Sequence, residues 1–251
     1  MWRYPEDNTQ SVLTARGQLQ TDRAGEKLTL PETAVLFYMH GGMEYIARHY
    51  ETAVLTEKLP RFLEPCPVMR IVGRNRLCFL EGGTGAPMAA DTLEVLAALG
   101  ARNVVSLGMF GTFDDRVNIG DIVVPPKAFV EEGTSLHYYE SIEYAEPDGR
   151  LLRLAVEKTG GRAYPIVSTD AVYRQTFYKE ALWRERGAVG VDMETSALFS
   201  VGRYRKLRVV SILIASDKHP IRPGDPQWQW HMTREMRQDF FARCLEAVFR
   251  I

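Results

Sequence analysis

The sequence predicts an α/β protein, with a single-domain three-layer α/β/α structure built on a mixed central sheet. Three observations support this prediction. Short apolar runs alternate with stretches of helical periodicity from Ala34 to Phe249. The 251 residues are enough to bury one substantial core. No internal repeat, low-complexity tract or long linker divides the chain. Such alternation within one domain is typical of a sheet that helices cover on both faces.

The individual elements follow from these patterns in chain order. Residues 1–30 are polar and unpatterned, and we expect an N-terminal arm there, followed by one domain over residues 31–251. Short apolar runs predict seven strands, which are Ala34–Met39, Val68–Val72, Leu77–Leu80, Val104–Leu107, Ile122–Val124, Val189–Val191 and Val209–Ile214. Longer periodic stretches predict four helices, which are Pro87–Leu99, Leu151–Lys158, Thr195–Arg205 and Met232–Phe249. Pro87 suits the first turn of its helix, and Gly100 suits the stop that follows it.

The composition gives no indication of several classes of partner. A formal net charge of -1 favours neither nucleic acid nor a membrane surface. No apolar stretch approaches the ~20 residues that span a bilayer, and Met1–Gln20 lacks the apolar core of a signal peptide. Cys66, Cys78 and Cys244 form no C-x-x-C motif, so we expect free thiols and a cytoplasmic location. The histidines show no metal-ligand spacing, and the sequence predicts neither a metal site nor a bound cofactor.

Two carboxylates stand where apolar residues would normally be expected. Glu194 lies where the apolar stretch Ala188–Val191 passes into a helical one, and Asp217 ends the apolar run Val209–Ala215. A buried carboxylate is costly unless it is paired or hydrogen-bonded, so two of them at the ends of core strands indicate a functional site. The structural alternatives are a helix cap at Asp192 or Glu194 and a turn at Asp217.

Two glycine-rich turns also follow predicted strands. Glu81–Pro87 opens a helix and contains Thr84 and Gly85, and Leu107–Thr112 contains Gly108. Glycines at such turns let backbone N–H groups approach a ligand oxygen or an anion. The first turn is not a G-x-G-x-x-G fingerprint, and a tight strand-to-helix turn without a ligand is the alternative.

The order of these motifs resembles the nucleoside phosphorylase and nucleosidase family, which cleaves the N-glycosidic bond of nucleosides. The resemblance extends from about Ala34 to Phe249. Its carriers are Gly83-Thr84-Gly85-Ala86-Pro87, Gly108-x-x-Gly111, Ile119-Gly120-Asp121-Ile122-Val123, Glu132-Gly133-Thr134-Ser135, Val191-Asp192-Met193-Glu194 and Ser216-Asp217. The resemblance implies a nucleoside or nucleotide as the small-molecule substrate and a homo-oligomer, either a trimer or a hexamer.

The resemblance also implies roles at the sugar. Glu194 matches the glutamate that binds the ribose 2′- and 3′-hydroxyls. A carboxylate suits this task because it accepts two hydroxyl hydrogen bonds and favours the positive charge that develops on the sugar. Met193 would pack against the ribose. Thr84 and Gly85 in the first glycine turn, and Gly108 in the second, would position the sugar and the nucleophile.

Other matching residues belong to the base and to the 5′ end of the sugar. Asp217 matches the aspartate that protonates N7 of a purine leaving group, and Ser216 would orient it. Uridine-cleaving members usually lack this aspartate, so a purine is favoured. Val172 and Tyr173 fall where the family stacks the base. His137 falls in the loop near the 5′ end of the sugar.

The sequence departs from the family at the phosphate site. After the first strand the phosphorylases carry Gly-Asp-Pro-x-Arg, whereas the segment His40–Ile46 has neither the Asp-Pro pair nor the arginine. Ser106 and Met109 stand where the phosphorylases place an arginine and a hydroxyl residue. These changes remove charge-assisted donors for a dianion. We therefore expect a phosphorylase-type glycosyltransferase with an atypical phosphate site, and inorganic phosphate as its candidate co-substrate.

Alternative functions stay open at this point. In the hydrolytic branch a glutamate activates water, and Glu44 matches it only if the turn shifts by two positions. The branch that acts on adenosine monophosphate has the closest local motifs, and Lys218, His219 and Arg222 would then be candidates for contacting a 5′-phosphate. A solvated charge cluster is the other interpretation of these three residues. A nucleoside-binding protein without catalytic activity is the remaining alternative.

Overall fold

The structure is a computed structural model that describes residues 9–21 and 28–251. In this part of the chain twelve strands form one sheet. The strands are β1 (Thr33–Phe37), β2 (Thr52–Leu59), β3 (Cys66–Ile71), β4 (Leu77–Glu81), β5 (Asn103–Thr112), β6 (Ile122–Val123), β7 (Ala128–Glu131), β8 (Tyr144–Ala145), β9 (Ile166–Thr169), β10 (Gly190–Asp192), β11 (Arg208–Lys218) and β12 (Gln229–Trp230). The α-helices of the same residues are α1 (Ala15–Thr21), α2 (Gly42–His49), α3 (Ala86–Ala98), α4 (Gly149–Thr159), α5 (Phe177–Glu185), α6 (Thr195–Tyr204) and α7 (Arg234–Val248).

The sheet is mixed, and its long strand β5 organises it. The strand order is β2-β3-β4-β1-β5-β10-β9-β7-β8, and β11 also pairs with β5 and carries β6 and β12. The strands β4, β1, β5 and β11 are parallel to one another along this path. β5 continues beyond the end of β1, and β10 pairs with this extension in the antiparallel direction. The carboxyl ends of the parallel strands and the end of β10 therefore meet at one edge of the sheet.

Helices cover both faces of this sheet. On one face Leu93 of α3 and Leu198 of α6 belong to a continuous buried cluster, against which residues of α1 also pack. On the other face α2, α4 and α7 contribute to a second cluster, in which Phe37 packs edge-to-face on Phe241. A smaller cluster around Phe113 and Trp183 lies beneath α5. Strands buried on both faces explain why the central runs are continuously apolar rather than alternating.

The predicted α/β class and the mixed three-layer architecture are confirmed, and each predicted strand and helix overlaps an observed one. The sequence analysis missed β2, β7, β8, β9, β12, α2 and α5. Several of these are short or partly exposed, so their apolar pattern is weak. Within the predicted arm, residues 15–21 form α1, whose Ala15 and Leu19 pack on the core. Residues 1–8 and 22–27 of the arm lie outside the described residues. No helix of the described residues is long and apolar enough to cross a membrane.

Candidate active site

A cavity of about 890 Å³ opens at the carboxyl edge of the parallel strands. Its walls come from the ends of β1, β4, β5 and β11, from the turn after β10, and from the segment that leads into α5. The residues that line it are Phe37, Tyr38, Met39, His40, Glu81, Gly83, Thr84, Met109, Phe110, Gly111, Val172, Tyr173, Gln175, Thr176, Phe177, Glu180, Val191, Asp192, Met193, Glu194, Ser216, Asp217, His219, Pro220, Trp228 and Trp230. Ligands of α/β proteins bind at such an edge.

Glu194 contacts the first glycine turn. Its Oε1 accepts a hydrogen bond from the backbone N–H of Gly85 at 2.7 Å, and Oε2 accepts one from the N–H of Met193 at 3.3 Å. Gly85 has φ +84° and ψ 162°, a backbone conformation that residues other than glycine rarely adopt. The glycine therefore lets the backbone present its N–H to the carboxylate, and this contact joins residues 109 positions apart.

Asp192, not Glu194, caps helix α6. Its Oδ2 accepts a hydrogen bond from the N–H of Thr195 at 3.2 Å, and Oδ1 accepts one from the hydroxyl of Ser168 at 2.5 Å. Glu194 makes no side-chain cap hydrogen bond. The structural alternative raised by the sequence thus applies to Asp192, and the carboxylate of Glu194 is left to face the cavity.

The two carboxyl groups of this segment are buried close together, which makes ionisation costly. Burial raises the pKa of Glu194 to about 8, and the neighbouring charge of Asp192 acts in the same direction. Burial also raises the pKa of Asp192 to about 6, against the hydrogen bonds from Ser168 and Thr195. A shifted carboxyl group on a cavity wall is a feature of functional sites.

A β-bulge places Asp217 in the cavity. On β11 Ala215 pairs with Phe110 and Asp217 pairs with Gly111, so that Ser216 is the extra residue. The hydroxyl of Ser216 donates to Oδ1 of Asp217 and lies 3.2 Å from the carbonyl oxygen of Phe110. A bulge locally redirects side chains and is common beside active sites. The strand run that predicted a buried carboxylate at its end therefore carries Asp217 to the cavity.

His219 lies between two carboxylates in the same wall. Its Nδ1 is 2.7 Å from Oε1 of Glu180, and its Nε2 is 3.3 Å from Oδ2 of Asp217. The indole Nε1–H of Trp228 donates to the same Asp217 oxygen at 2.5 Å. Glu180 comes from α5, so the cluster joins two elements that the sequence analysis did not connect.

These contacts set the charge of the cluster. Burial acts to raise the pKa of Asp217, but hydrogen bonds from His219, Ser216 and Trp228 outweigh it and hold the pKa below its ordinary value. Burial acts to lower the pKa of His219, but its hydrogen bonds to Asp217 and Glu180 and their charges raise it to about 9. At neutral pH Asp217 is therefore ionised and His219 is an imidazolium.

The end of the cavity near β1 and β4 is acidic. Glu81, the last residue of β4, lines it together with His40. Burial raises the pKa of Glu81, and the charge of Glu44 adds to the effect. Among the described residues, the lining contains five aspartate and glutamate side chains and two histidines but no lysine or arginine. This charge balance disfavours a phosphate dianion unless another chain supplies cations.

The mouth of the cavity carries exposed aromatic and apolar side chains. Tyr173 is 98% exposed, Trp228 50% and Val172 47%. An aromatic face at the rim suits stacking on a planar base. Tyr38, by contrast, is buried in the wall, and its hydroxyl has no hydrogen-bond partner among the described residues.

Most of the predicted site residues share this cavity. Glu194, Met193, Thr84, Val172, Tyr173, Ser216 and Asp217 line it, and Gly85 is hydrogen-bonded to Glu194. Gly108 and His137 are not among the lining residues. A Cβ built on Gly108 would meet Leu213 and Tyr38, and His137 is exposed in a short 3-10 helix. The roles of these two residues stay predictions.

The three residues considered for a 5′-phosphate are placed apart. Lys218 is paired with Asp115 at 2.8 Å, His219 faces its two carboxylates, and Arg222 does not line the cavity. The sequence analysis assigned no role to Glu180 or Glu81. Glu81 had a usable signal, because it ends an apolar strand as Asp217 does, whereas Glu180 lies in a helix that the pattern did not reveal.

Comparison with known proteins identifies what the chain is similar to. The model of the phosphorylase superfamily matches residues 33–250. A guanosine phosphorylase of Halorubrum lacusprofundi is 30% identical over 174 residues, which cover 62% of this chain and 72% of that protein. A DeoD-type purine nucleoside phosphorylase of Exiguobacterium sp. is 27% identical over 182 residues, which cover 69% of this chain and 73% of that protein.

Two solved structures share the fold. The crystal structure of AMP nucleosidase from Bacteroides thetaiotaomicron superposes with a TM-score of 0.65 at 23% identity, over 88% of this chain and 90% of that one. Uridine phosphorylase from Vibrio fischeri superposes with a TM-score of 0.68 at 24% identity, over 90% of this chain and 94% of that one. At these identities the likeness concerns the fold alone.

Proposed function

Because the chain belongs to the phosphorylase superfamily, we propose that it cleaves the N-glycosidic bond of a purine nucleoside. The observation that carries this proposal is the presence of Glu194 and Asp217 on the walls of one cavity. Cleavage of this bond develops positive charge on the sugar and negative charge on the departing base. One carboxylate at the sugar and one proton donor at the base answer both requirements.

Glu194 is assigned to the ribose. Its hydrogen bond from Gly85 fixes the carboxylate beside the glycine turn, where Thr84 also lines the cavity. When ionised, the carboxylate accepts hydrogen bonds from two sugar hydroxyls and stabilises the oxocarbenium-like transition state. Met193 lines the cavity beside it and provides an apolar contact for the ring.

Asp217 is assigned to the base. It lines the same cavity as Ser216 and as the exposed Val172 and Tyr173, which suit contact with a planar base. Its match to the family's proton-donating aspartate favours a purine, since N7 of a purine accepts a proton as the bond to N9 breaks. General acid catalysis of this kind contributes roughly 10²–10⁴-fold.

Water is the nucleophile that the charge of this cavity favours. The cavity end that would receive a phosphate dianion holds Glu81 and His40, and no lysine or arginine of the described residues lines it. The same balance disfavours a nucleotide with a 5′-phosphate. Phosphorolysis is the second candidate, because the curated relatives named above are phosphorylases.

Glu81 is the better candidate for activating the water than Glu44. Glu81 lines the cavity, whereas Glu44 does not. Burial and the charge of Glu44 raise the pKa of Glu81, and a base whose pKa lies closer to neutral pH is the more effective one. In this arrangement Glu44 affects the pKa of the catalytic base Glu81 through its charge and does not contact the substrate.

An end-point assay tests the proposal. Purine and pyrimidine nucleosides and nucleotides are incubated with the protein, with and without inorganic phosphate, and free base, free ribose and ribose 1-phosphate are measured. Free ribose that is independent of phosphate supports hydrolysis. Ribose 1-phosphate formed only with phosphate supports phosphorolysis. Tight nucleoside binding by calorimetry without any release of base would leave the catalytically inactive binding protein.

The assembly expected from the family also bears on this site. Phe177 and Tyr178 lie near the cavity mouth with 42% and 73% of their surface exposed. We expect a homo-oligomer in which a neighbouring subunit covers such residues, and light scattering after gel filtration measures its mass. A neighbour that contributed cations to the acidic end would favour phosphorolysis.

A further inference from the structure

His219 lies at the centre of a buried cluster of acidic and basic groups. The proposed function gives a role to Asp217 of this cluster but none to His219. Only 16% of its side chain is exposed, and both ring nitrogens face carboxylates, Glu180 at 2.7 Å and Asp217 at 3.3 Å. Both carboxylates line the cavity, and so does the imidazole. A histidine held from both sides in the wall of a substrate cavity is more than a packing residue.

Asp217 by itself is poorly suited to hold a proton for the base. It already accepts hydrogen bonds from Ser216 and from Trp228, and its third neighbour is the imidazole of His219. Each of these contacts stabilises the ionised carboxylate. Of the three donors, only an imidazolium releases a proton near neutral pH, since the hydroxyl and the indole N–H do not.

The surroundings of His219 favour its protonated form. On β11 it faces Asp217, while Lys218 is paired with Asp115. On α5 it faces Glu180, while Arg184 donates to the carbonyl oxygen of Phe113. The segment after β5 contributes the Phe113 ring, 6.5 Å from the imidazole, and the ion pair between Asp114 and Arg116. The charged groups in direct contact with the imidazole are thus two carboxylates.

Gly111 supports this arrangement sterically. A Cβ built on it would lie 2.4 Å from Nε2 of His219 and 3.0 Å from Oδ2 of Asp217. The absence of a side chain at this point of β5 leaves the space through which the two groups approach each other.

We propose that His219 supplies the proton that Asp217 delivers to the leaving base, with Glu180 holding the imidazolium in place. This inference rests on the proposed function. As the C1′–N9 bond breaks, its electron pair stays with the base. The proton of Nε2 passes to Oδ2 of the ionised Asp217, and the carboxyl group formed in this way passes a proton to N7. The attacking water gives one proton to Glu81, which releases it to solvent, and solvent returns one proton to His219, so that the reaction consumes no net proton.

A consequence is the pH at which activity ends. The pKa of His219 is raised to about 9 by its hydrogen bonds to Asp217 and Glu180, against the effect of burial. The imidazolium is present below this pH and is lost above it. We therefore expect kcat to fall as the pH rises through about 9.

Two substrates and three variants test the inference. One substrate is guanosine, whose base requires a proton at N7. The other is 7-methylguanosine, whose base already carries a positive charge and leaves without one. We expect H219Q to lower kcat on guanosine by about 10²-fold or more, and to change kcat on 7-methylguanosine by less than about threefold. E180Q keeps the imidazole and removes one carboxylate, so its alkaline limb should move down by about 1–2 pH units. Lys218→Met is the matched control, and its pH profile should equal that of the wild type.

The outcomes distinguish a failure of the inference about His219 from a failure of the proposed function. Equal losses on both substrates in H219Q, or an unmoved alkaline limb in E180Q, would show that His219 is only structural and would overturn the inference. Should the wild type release no base from any nucleoside, the proposed function itself fails, and the inference fails with it. If H219Q does not fold, as judged by thermal unfolding, E180Q carries the test alone.

Discussion

Replacing Gly111 by alanine tests the contact on which the proposed proton supply depends. The backbone of Gly111 does not have positive φ, so an alanine fits its conformation, and the conflict is with side chains only. The new methyl group would lie 2.4 Å from Nε2 of His219 and 3.0 Å from Oδ2 of Asp217. These two atoms are 3.3 Å apart. The methyl group therefore forces the imidazole and the carboxylate away from each other.

The size of the effect follows from these distances. Ordinary contact begins at 3.4 Å, so the ring must retreat by about 1 Å. A retreat of this size takes the pair beyond hydrogen-bond distance. A hydrogen bond to a charged group contributes about 1.5–3 kcal/mol, which corresponds to about a 10- to 150-fold loss of rate. We expect kcat of G111A on guanosine to fall within this range.

The assay compares kcat on guanosine and on 7-methylguanosine at neutral pH, together with the midpoint of thermal unfolding. Gly149→Ala is the control, because a Cβ at this first residue of α4 meets only Nη1 of Arg153, at 3.7 Å. We expect the control to equal the wild type. A G111A protein that folds and keeps wild-type kcat on guanosine would contradict a role of this contact in catalysis, and so would equal losses on both substrates.

Three further predictions concern the carboxylates. D217N should lower kcat by about 10²–10⁴-fold with little change in KM. If steady-state kinetics showed that kcat and substrate affinity fall by equal factors, the acid role would be contradicted. E194Q should abolish cleavage yet raise the free energy of unfolding by about 1 kcal/mol or more at pH 8. The pKa of Glu194 is about 8 in the folded protein, which is above its value in the unfolded chain. The folded state therefore loses stability as the pH rises from the unfolded pKa to the folded pKa. Urea denaturation of E194Q and the wild type at pH 5 and pH 8 measures this effect. An equal difference in unfolding free energy between the two proteins at both pH values would contradict it. E81Q should reduce phosphate-independent release of ribose more than E44Q does, and the reverse order would assign the water to Glu44.

The different roles of Asp192 and Glu194 show what a sequence motif alone cannot predict. Both residues stand at the same strand-to-helix junction, and either suits a helix cap. In the structure Asp192 accepts the hydrogen bond from Thr195, and Glu194 accepts one from Gly85. The choice depends on the position of the glycine turn, which belongs to a distant part of the chain. Local pattern identified the acidic segment but not which residue faces the ligand.

Local sequence patterns were enough to predict the α/β class, the strands whose apolar runs are continuous, and the two carboxylates at their ends. It also supported membership of the family, since the order of short motifs survives in the chain. These features depend on local periodicity and on the cost of burying charge, and both are visible in a window of a few residues.

The cluster of Glu180, His219 and Asp217 could not be predicted from local patterns, because it forms only in the folded chain. Glu180 is 39 residues before His219 in the chain and lies in a helix of weak periodicity. The bulge at Ser216 turns Asp217 towards the cavity, and Gly111 on the neighbouring strand leaves room for the imidazole. Strand register and the approach of distant elements depend on packing over the whole sheet. For that physical reason the charge of His219, and with it the proposed source of the proton, could be derived only from the folded protein.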